Sequence, residues 1–242
     1  MKTFISKNKK LGDKKAFHIV KAQILKKPNS LIGLAVGKTT DGLYKLISKD
    51  AAKNPNIWKK VKLFQIDENL RIPPTSSLSF NFEIRKELKS LIRLISPKNL
   101  FLIDGTKKPK NTIQKAYKFI KQNKGIDLMI LGLGPEYDPH IAYNTTGKSS
   151  LNSRMRGVDL HPKTIEKMRH RDAVNCVSTK GITLGIKDIL ETRKVLLIAY
   201  GKEKSKSLKS ILKGKVDMKR GSASALVLHK NLEIITDKDA VK

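Results

Sequence analysis

The sequence predicts an α/β domain built on a mostly parallel sheet with crossover helices, from three features of its patterning. Short apolar runs recur along the whole length, amphipathic stretches separate them, and several runs end in a turn rich in glycine or charge. The expected strands are Leu31–Val36, Val61–Ile66, Leu100–Ile103, Asp127–Leu131, Lys194–Tyr200 and Leu232–Thr236. Each is apolar enough to be buried on both faces, as parallel strands under helices are. The expected helices are Asp13–Lys26, Asp41–Lys53, Ser79–Ile95, Asn111–Asn123, Ile186–Glu191 and Glu203–Leu212, amphipathic stretches of suitable length. Right-handed crossovers would carry successive strands in one direction, so the turns after Val36, Ile66, Leu131 and Tyr200 should share one edge of the sheet. Ser149–Lys180 breaks the alternation; it is polar and basic, and is expected to form an excursion over a pocket. No repeat or linker-like tract interrupts residues 1–242, which are expected to form a single domain.

Composition narrows the partners. The net charge is +30, which by itself suggests attraction to phosphate. However, 42 of the cations are Lys, spread over nearly every polar segment, and only 9 are Arg, the side chain suited to forked phosphate and base contacts. Aromatic residues make up 5%, too few for a stacking platform. A specific nucleic-acid partner is therefore not expected, whereas a positive field would help draw a small phosphorylated metabolite. No apolar run is long enough to span a bilayer, and the basic N-terminus lacks a signal-peptide core, so no membrane partner and a cytoplasmic location are expected. The single cysteine, Cys176, rules out an internal disulfide and is expected to be an inert thiol.

Four constellations could carry chemistry. Asp127–Leu131 empties into Gly132 and Gly134 and then presents Asp138 and His140, a carboxylate and an imidazole at a strand's carboxyl end, where open α/β sheets bind ligands. Gly37-Lys38-Thr39-Thr40 follows the first strand and could hold a phosphate with amides, hydroxyls and an ammonium. It is not a nucleotide P-loop, because three residues rather than four separate Gly33 from Gly37. Asp67-Glu68 puts carboxylates at the tip of the second strand, where a base of raised pKa could work. Arg154, Arg156, Arg169 and Arg171 concentrate four of the nine arginines in one polar stretch. Each of these alone also fits an ordinary turn, a solvated acidic pair or a surface loop.

Together they resemble the glucosamine-6-phosphate deaminase (isomerase) and 6-phosphogluconolactonase superfamily over most of the chain. The segments that carry the resemblance are GLAVGKTTDGLYKLI, FQIDEN, LMILGLGPEYDPHIAYN, KSSLNSRMR, ITLGIKDILETRKVLLIAYGKEKSKSL and SASALVLHKNLEIITDKDA, in order and suitably spaced. The resemblance implies a three-layer, modified Rossmann-like fold. Asn144 and the Ser149–Arg154 segment place the chain nearer the deaminase branch, while Pro135 leans toward the lactonases. It further implies ring opening by His140, with Asp138 holding the imidazole, and proton transfer between C1 and C2 by Asp67. Gly37, Lys38, Thr39, Glu68 and Lys204 would hold the sugar phosphate, with Arg169 or Arg171 as the phosphate arginine. No cofactor or metal is implied.

The chain also departs from the family pattern. Pro139 replaces a Gly between the Asp and the His, two extra residues precede Asp138, Lys38 replaces a small residue, and the family's Gly-Ile-Gly-Thr turn reads Gly185-Ile186-Lys187-Asp188. Thr145 stands where the deaminases carry a Glu. Three readings follow. The first is a deaminase/isomerase releasing ammonia from an aldosamine 6-phosphate, the second a sugar-lactone phosphate hydrolase, and the third a sugar-phosphate binder without turnover.

Overall fold

The computed structural model describes residues 1–172 and 177–242, apart from the side chains at 167 and 170–172. Among the described residues there are ten strands: β1 (Lys2–Ser6), β2 (Leu31–Leu34), β3 (Lys62–Gln65), β4 (Asp67–Asn69), β5 (Leu100–Phe101), β6 (Leu128–Gly132), β7 (Arg156–Asp159), β8 (Lys180–Thr183), β9 (Val195–Ala199) and β10 (Leu232–Asp237). Seven form a central sheet in the order β1-β10-β9-β6-β2-β3-β5, and every pairing in it is parallel.

Strand alternation sorts the core into two layers. Ile32, Leu34, Leu63, Leu128, Ile130, Leu196 and Ile198 pack against helices Lys9–Lys26, Asp41–Lys53, Phe80–Glu87 and Lys89–Leu94. Their neighbours Leu31, Phe64, Met129, Leu131, Val195 and Leu197 face the other way, against helices Pro109–Gln122, Ile186–Leu190 and Ser205–Leu212 and the 3-10 segment Ser222–Leu228. The result is the three-layer α/β arrangement, and it explains why these strands read as continuous apolar runs rather than alternating ones.

Three elements differ from the sequence expectations. The basic N-terminus forms β1, an edge strand exposed at four of its five residues, so burial left no mark on its sequence. Ser79–Ile95 is not one helix but two, joined at Leu88, where the backbone departs from α geometry and the Ser90 amide turns out to Ser48 Oγ at 3.1 Å. A second sheet, β4-β8-β7, is antiparallel and includes β7 from inside the supposedly strandless Ser149–Lys180 stretch. β7 alternates half-buried and exposed residues along Arg-Gly-Val-Asp, a pattern of the second sheet's edge that carries little apolar signal.

Candidate active site

β2 and β6 are neighbours, but the chain leaves them in opposite directions, β2 toward β3 and β6 toward β9. Their following loops therefore diverge and open a crevice at the carboxyl ends of the strands. A cavity of about 230 Å³ lies there, bordered by Gly37, Thr39 and Thr40 from one loop and by Gly134, Pro135 and His140 from the other. Asp67, Phe80, Ala142, Tyr143, Thr164 and Lys204 complete its wall.

The first loop is knitted to itself. Thr40 donates its amide to Gly37 O at 3.0 Å and its hydroxyl to the same carbonyl at 3.1 Å, and the Tyr44 hydroxyl donates to Ala35 O at 2.5 Å. Gly37 has φ +148°, a conformation that disfavours side chains, and helix Asp41–Lys53 begins just beyond it. Glycine, hydroxyls and a helix N-terminus at a cavity wall suit an anion. Lys38 is exposed and does not border the cavity, whereas Lys204 enters it from the 3-10 turn Lys202–Lys204 after β9.

The second loop delivers an oriented imidazole. Gly134 donates its amide to His140 O at 2.8 Å, and a Cβ on Gly134 would stand 2.4 Å from Asp138 O, so only glycine allows this approach. His140 Nδ1 lies 2.9 Å from Asp138 Oδ2, and the Thr146 amide donates to Asp138 Oδ1 at 2.9 Å. Burial alone would raise the Asp138 pKa, but the hydrogen bond and charge of His140 and the Thr146 amide outweigh it and bring the carboxyl down to about 2. An ionised Asp138 holds the proton on Nδ1 and leaves Nε2 as the basic nitrogen.

Asp67 comes from a change of sheet. β3 ends at Gln65, Ile66 bonds both to Leu34 O of the central sheet and to the Leu184 amide, and β4 then pairs with β8 with Asp67 opposite Thr183. The carboxyl is 4% exposed and its Oδ1 has no hydrogen-bond partner. Burial first, and the neighbouring Glu68 charge second, push its pKa well above the usual carboxylate range. Glu68 points elsewhere. Its carboxylate is fully buried and accepts from Ser79 Oγ, the Phe80 and Asn81 amides, Gln65 Nε2 and the Asn69 amide, all between 2.8 and 3.0 Å. Burial still raises its pKa against those donors. The expected substrate contact at Glu68 is thus replaced by an anchor at the start of helix Phe80–Glu87, because every donor it meets belongs to the scaffold.

Of the cluster's described arginine side chains, Arg154, Arg156 and Arg169, none borders the cavity. Arg154 pairs with Asp188 at 2.8 Å and with Glu191, and Arg156 donates to Asn144 Oδ1 at 3.1 Å and Ser149 Oγ at 2.8 Å. Arg169 is exposed on helix Pro162–Asp172 and is not among the lining residues. The Arg171 side chain and Cys176 lie outside the described residues. Asn144 is fully buried and pins the fold, donating to Ile141 O and Leu184 O. Thr145 borders a separate cavity of about 200 Å³ with Lys148, Ser149 and Arg156.

Sequence reasoning did not single out Phe80, Tyr143 or Thr164 as cavity residues. Phe80 and Tyr143 stack at 5.6 Å between ring centroids, and the Tyr143 hydroxyl donates to Asn69 Oδ1 at 2.8 Å. The expected helix did begin at Ser79, the residue whose side chain caps Phe80–Glu87, but nothing in the local sequence marks Phe80 as a cavity residue. Nothing local marks Thr164, which reaches the cavity only because helix Pro162–Asp172 lies over it.

This geometry has relatives. The family model described as glucosamine-6-phosphate isomerases/6-phosphogluconolactonase matches residues 12–235. The chain is 31% identical to a glucosamine-6-phosphate deaminase of Halothermothrix orenii, over 99% of this chain and 98% of that one. It is 33% identical to the enzyme of the same name from Mycoplasma mycoides, over 99% and 96%. Among solved structures, a monomeric glucosamine-6-phosphate deaminase superposes with TM-score 0.89 at 24% identity over the full length of both chains. A 6-phosphogluconolactonase from Trypanosoma brucei gives 0.76 at 17%, over 99% and 97%. At those identities the structural matches speak for the fold alone. The family match and the full-length relatives go further: this chain belongs to the glucosamine-6-phosphate isomerase/6-phosphogluconolactonase family.

Proposed function

We propose that the protein is a glucosamine-6-phosphate deaminase, a hydrolase of a carbon–nitrogen bond that converts an aldosamine 6-phosphate and water to fructose 6-phosphate and ammonia. The observation that carries this reading is the meeting, in one cavity, of a buried carboxyl with a bare oxygen at Asp67, an Asp138-oriented imidazole at His140 and an anion-suited wall at Gly37–Thr40 with Lys204. The full-length relatives at 31% and 33% identity carry the deaminase name, which supports the choice of branch.

The chemistry uses these groups in turn. Amides and hydroxyls of Gly37 and Thr39, with the Lys204 ammonium, hold the phosphate. His140 Nε2 takes the proton of the anomeric hydroxyl and returns one to the ring oxygen, which opens the sugar. Asp67 then removes the proton from C2 of the aldehyde and delivers it to C1, giving a C2 imine. Water adds to C2 and ammonia departs, leaving the ketose. The raised pKa makes Asp67, once ionised, a stronger base toward a carbon-bound proton. The protein would act as one sugar-phosphate domain in a reducing, cytoplasmic setting.

The test assays purified protein on glucosamine 6-phosphate and 6-phosphogluconolactone side by side. Ammonia release that Asp67→Asn abolishes supports the deaminase. Lactone hydrolysis without ammonia, tolerant of Asp67→Asn, replaces it with the hydrolase reading. Sugar-phosphate binding with neither turnover replaces both with the binder.

A further inference from the structure

The phosphate subsite is made of two pieces that the sheet does not join. The Gly37–Thr40 loop follows β2, Lys204 follows β9, and β6 lies between those two strands. The loop ends where helix Asp41–Lys53 begins, and Lys204 closes a short 3-10 turn. A phosphate gripped from both sides needs the two pieces at one spacing, because a charge-assisted contact weakens steeply once donor and acceptor are drawn apart. Something outside the cavity has to set that spacing.

The first turn of helix Lys9–Lys26 touches both pieces. Lys9 Nζ donates to Asp41 Oδ1 at 2.8 Å, and Asp41 directly follows Thr40 at the start of its helix, where its carboxylate also accepts the Gly42 amide at 2.5 Å. The same ammonium donates to the buried Asp13 Oδ2 at 2.8 Å. It lies 5.5 Å from the centroid of the Tyr200 ring, and Tyr200 directly follows β9 and precedes the turn that carries Lys204. Two glycines let these groups close up. A Cβ on Gly42 would collide with the Asp13 carboxylate, and one on Gly12 would stand 2.5 Å from the Tyr200 hydroxyl. The helix start is itself anchored: the Leu11 amide donates to Asn8 Oδ1 at 3.1 Å, and Ser6 Oγ donates at 2.8 Å to the carbonyl of Thr236, which pairs with Ala199 at the end of β9. Lys9 does not border the cavity, so its influence on a bound phosphate runs through the groups it holds.

We propose that Lys9 is a positioning residue for the phosphate subsite: fixed by Asp13, it ties the start of helix Asp41–Lys53 to the Tyr200 end of β9, and so sets the distance between the Gly37–Thr40 loop and Lys204. The role of Lys9 rests on the sugar-phosphate reading of the cavity but not on the deaminase chemistry. One ammonium serves two carboxylates here, so truncating Lys9 also strands the buried Asp13 without its cation.

The experiment measures fructose 6-phosphate binding by titration calorimetry, well below the unfolding temperature of every variant, for wild type, Lys9→Met, Lys9→Arg, Lys204→Met and the Lys9→Met/Lys204→Met double variant. In Lys9→Met the Kd should rise about fivefold, part of what losing a whole charge-assisted contact costs, and KM for glucosamine 6-phosphate should rise with it while kcat stays within about twofold. Lys9→Arg, whose fork can still bridge two carboxylates, should bind within about twofold of wild type. Because Lys9 acts through the spacing to Lys204, adding Lys9→Met to Lys204→Met should weaken binding by less than about twofold more. If Lys9→Met does not fold, Lys9→Met/Asp13→Asn, which removes the stranded carboxylate, takes its place. A folded Lys9 variant that binds like wild type overturns the proposal, since the ion pair is then structural only. A loss that persists in full without Lys204 also overturns it, since the effect is then independent of the spacing. If wild type binds fructose 6-phosphate but releases no ammonia, the deaminase reading falls while the binding cycle still decides the role of Lys9. No binding by wild type overturns both.

Discussion

Asp67 and Glu68 are adjacent carboxyls on one short strand, both buried, and they meet opposite fates. Glu68 accepts five hydrogen bonds from the scaffold, which offset part of the cost of its burial and give it a structural role. Asp67 has a bare Oδ1 and a charged neighbour, so its burial is uncompensated. Successive strand residues point to opposite faces, which is how one dipeptide supplies both an anchor and an active-site acid. The contrast teaches that burial alone does not mark a functional acid. Burial without partners, beside a cavity, does.

The largest test of this contrast is chemical. Asp67→Asn should reduce ammonia release by about 10³-fold, in the middle of the range for loss of a general base. Fructose 6-phosphate should still protect the variant against thermal unfolding, since the phosphate wall is untouched. Glu68→Gln should do the reverse, unfolding at lower urea with a loss of about 2–4 kcal/mol, because one end of the amide turns donors toward donors. Full stability in Glu68→Gln would erase the distinction between the two acids.

A pH series sharpens it. Asp67 titrates above its unfolded value when folded, so its contribution to stability is complete below the unfolded pKa and is lost as pH rises through the folded one. Asp67→Asn should therefore melt above wild type at pH 8, by an amount on the order of 1–3 kcal/mol, and the gap should close toward pH 4. Asp138 has the opposite sign. Its folded pKa of about 2 means stability that is present above the unfolded carboxylate value and lost as pH falls through about 2. Asp138→Asn should remove about 2 kcal/mol of stability at neutral pH, the difference from wild type fading across that acid window. The smallest expected effect is at the rim of the chemistry. Lys204→Met should raise KM for the sugar phosphate about tenfold with kcat within about threefold, as loss of one charge-assisted phosphate contact predicts.

The two halves of the site were unequally legible. The loop after β6 was readable because an apolar run, a glycine pair and an Asp-x-His sit in one continuous stretch, and the order of the six segments named the family. The excursion from Ser149 to Lys180 was not. Its arginines looked like phosphate ligands by type, yet Arg154 and Arg156 spend their donors on Asp188, Glu191, Asn144 and Ser149. Whether a cation is already paired depends on what packs beside it, which spacing along the chain does not encode. Thr164 was unreadable for the complementary reason, being an ordinary threonine made relevant by where its helix lands.

What the sequence determined by itself is the layered α/β architecture, because strands buried on both faces must be apolar throughout and helices between them must be amphipathic. What only the tertiary structure decided is which polar groups share a cavity and which satisfy one another. The crevice exists because β2 and β6 send their chains apart, and Asp67 faces it only in the register that sets it opposite Thr183. A slip of one residue there would exchange the faces of Asp67 and Glu68. Pairing across the sheet and long-range packing exclude that slip, and neither is a property of any local stretch of the chain.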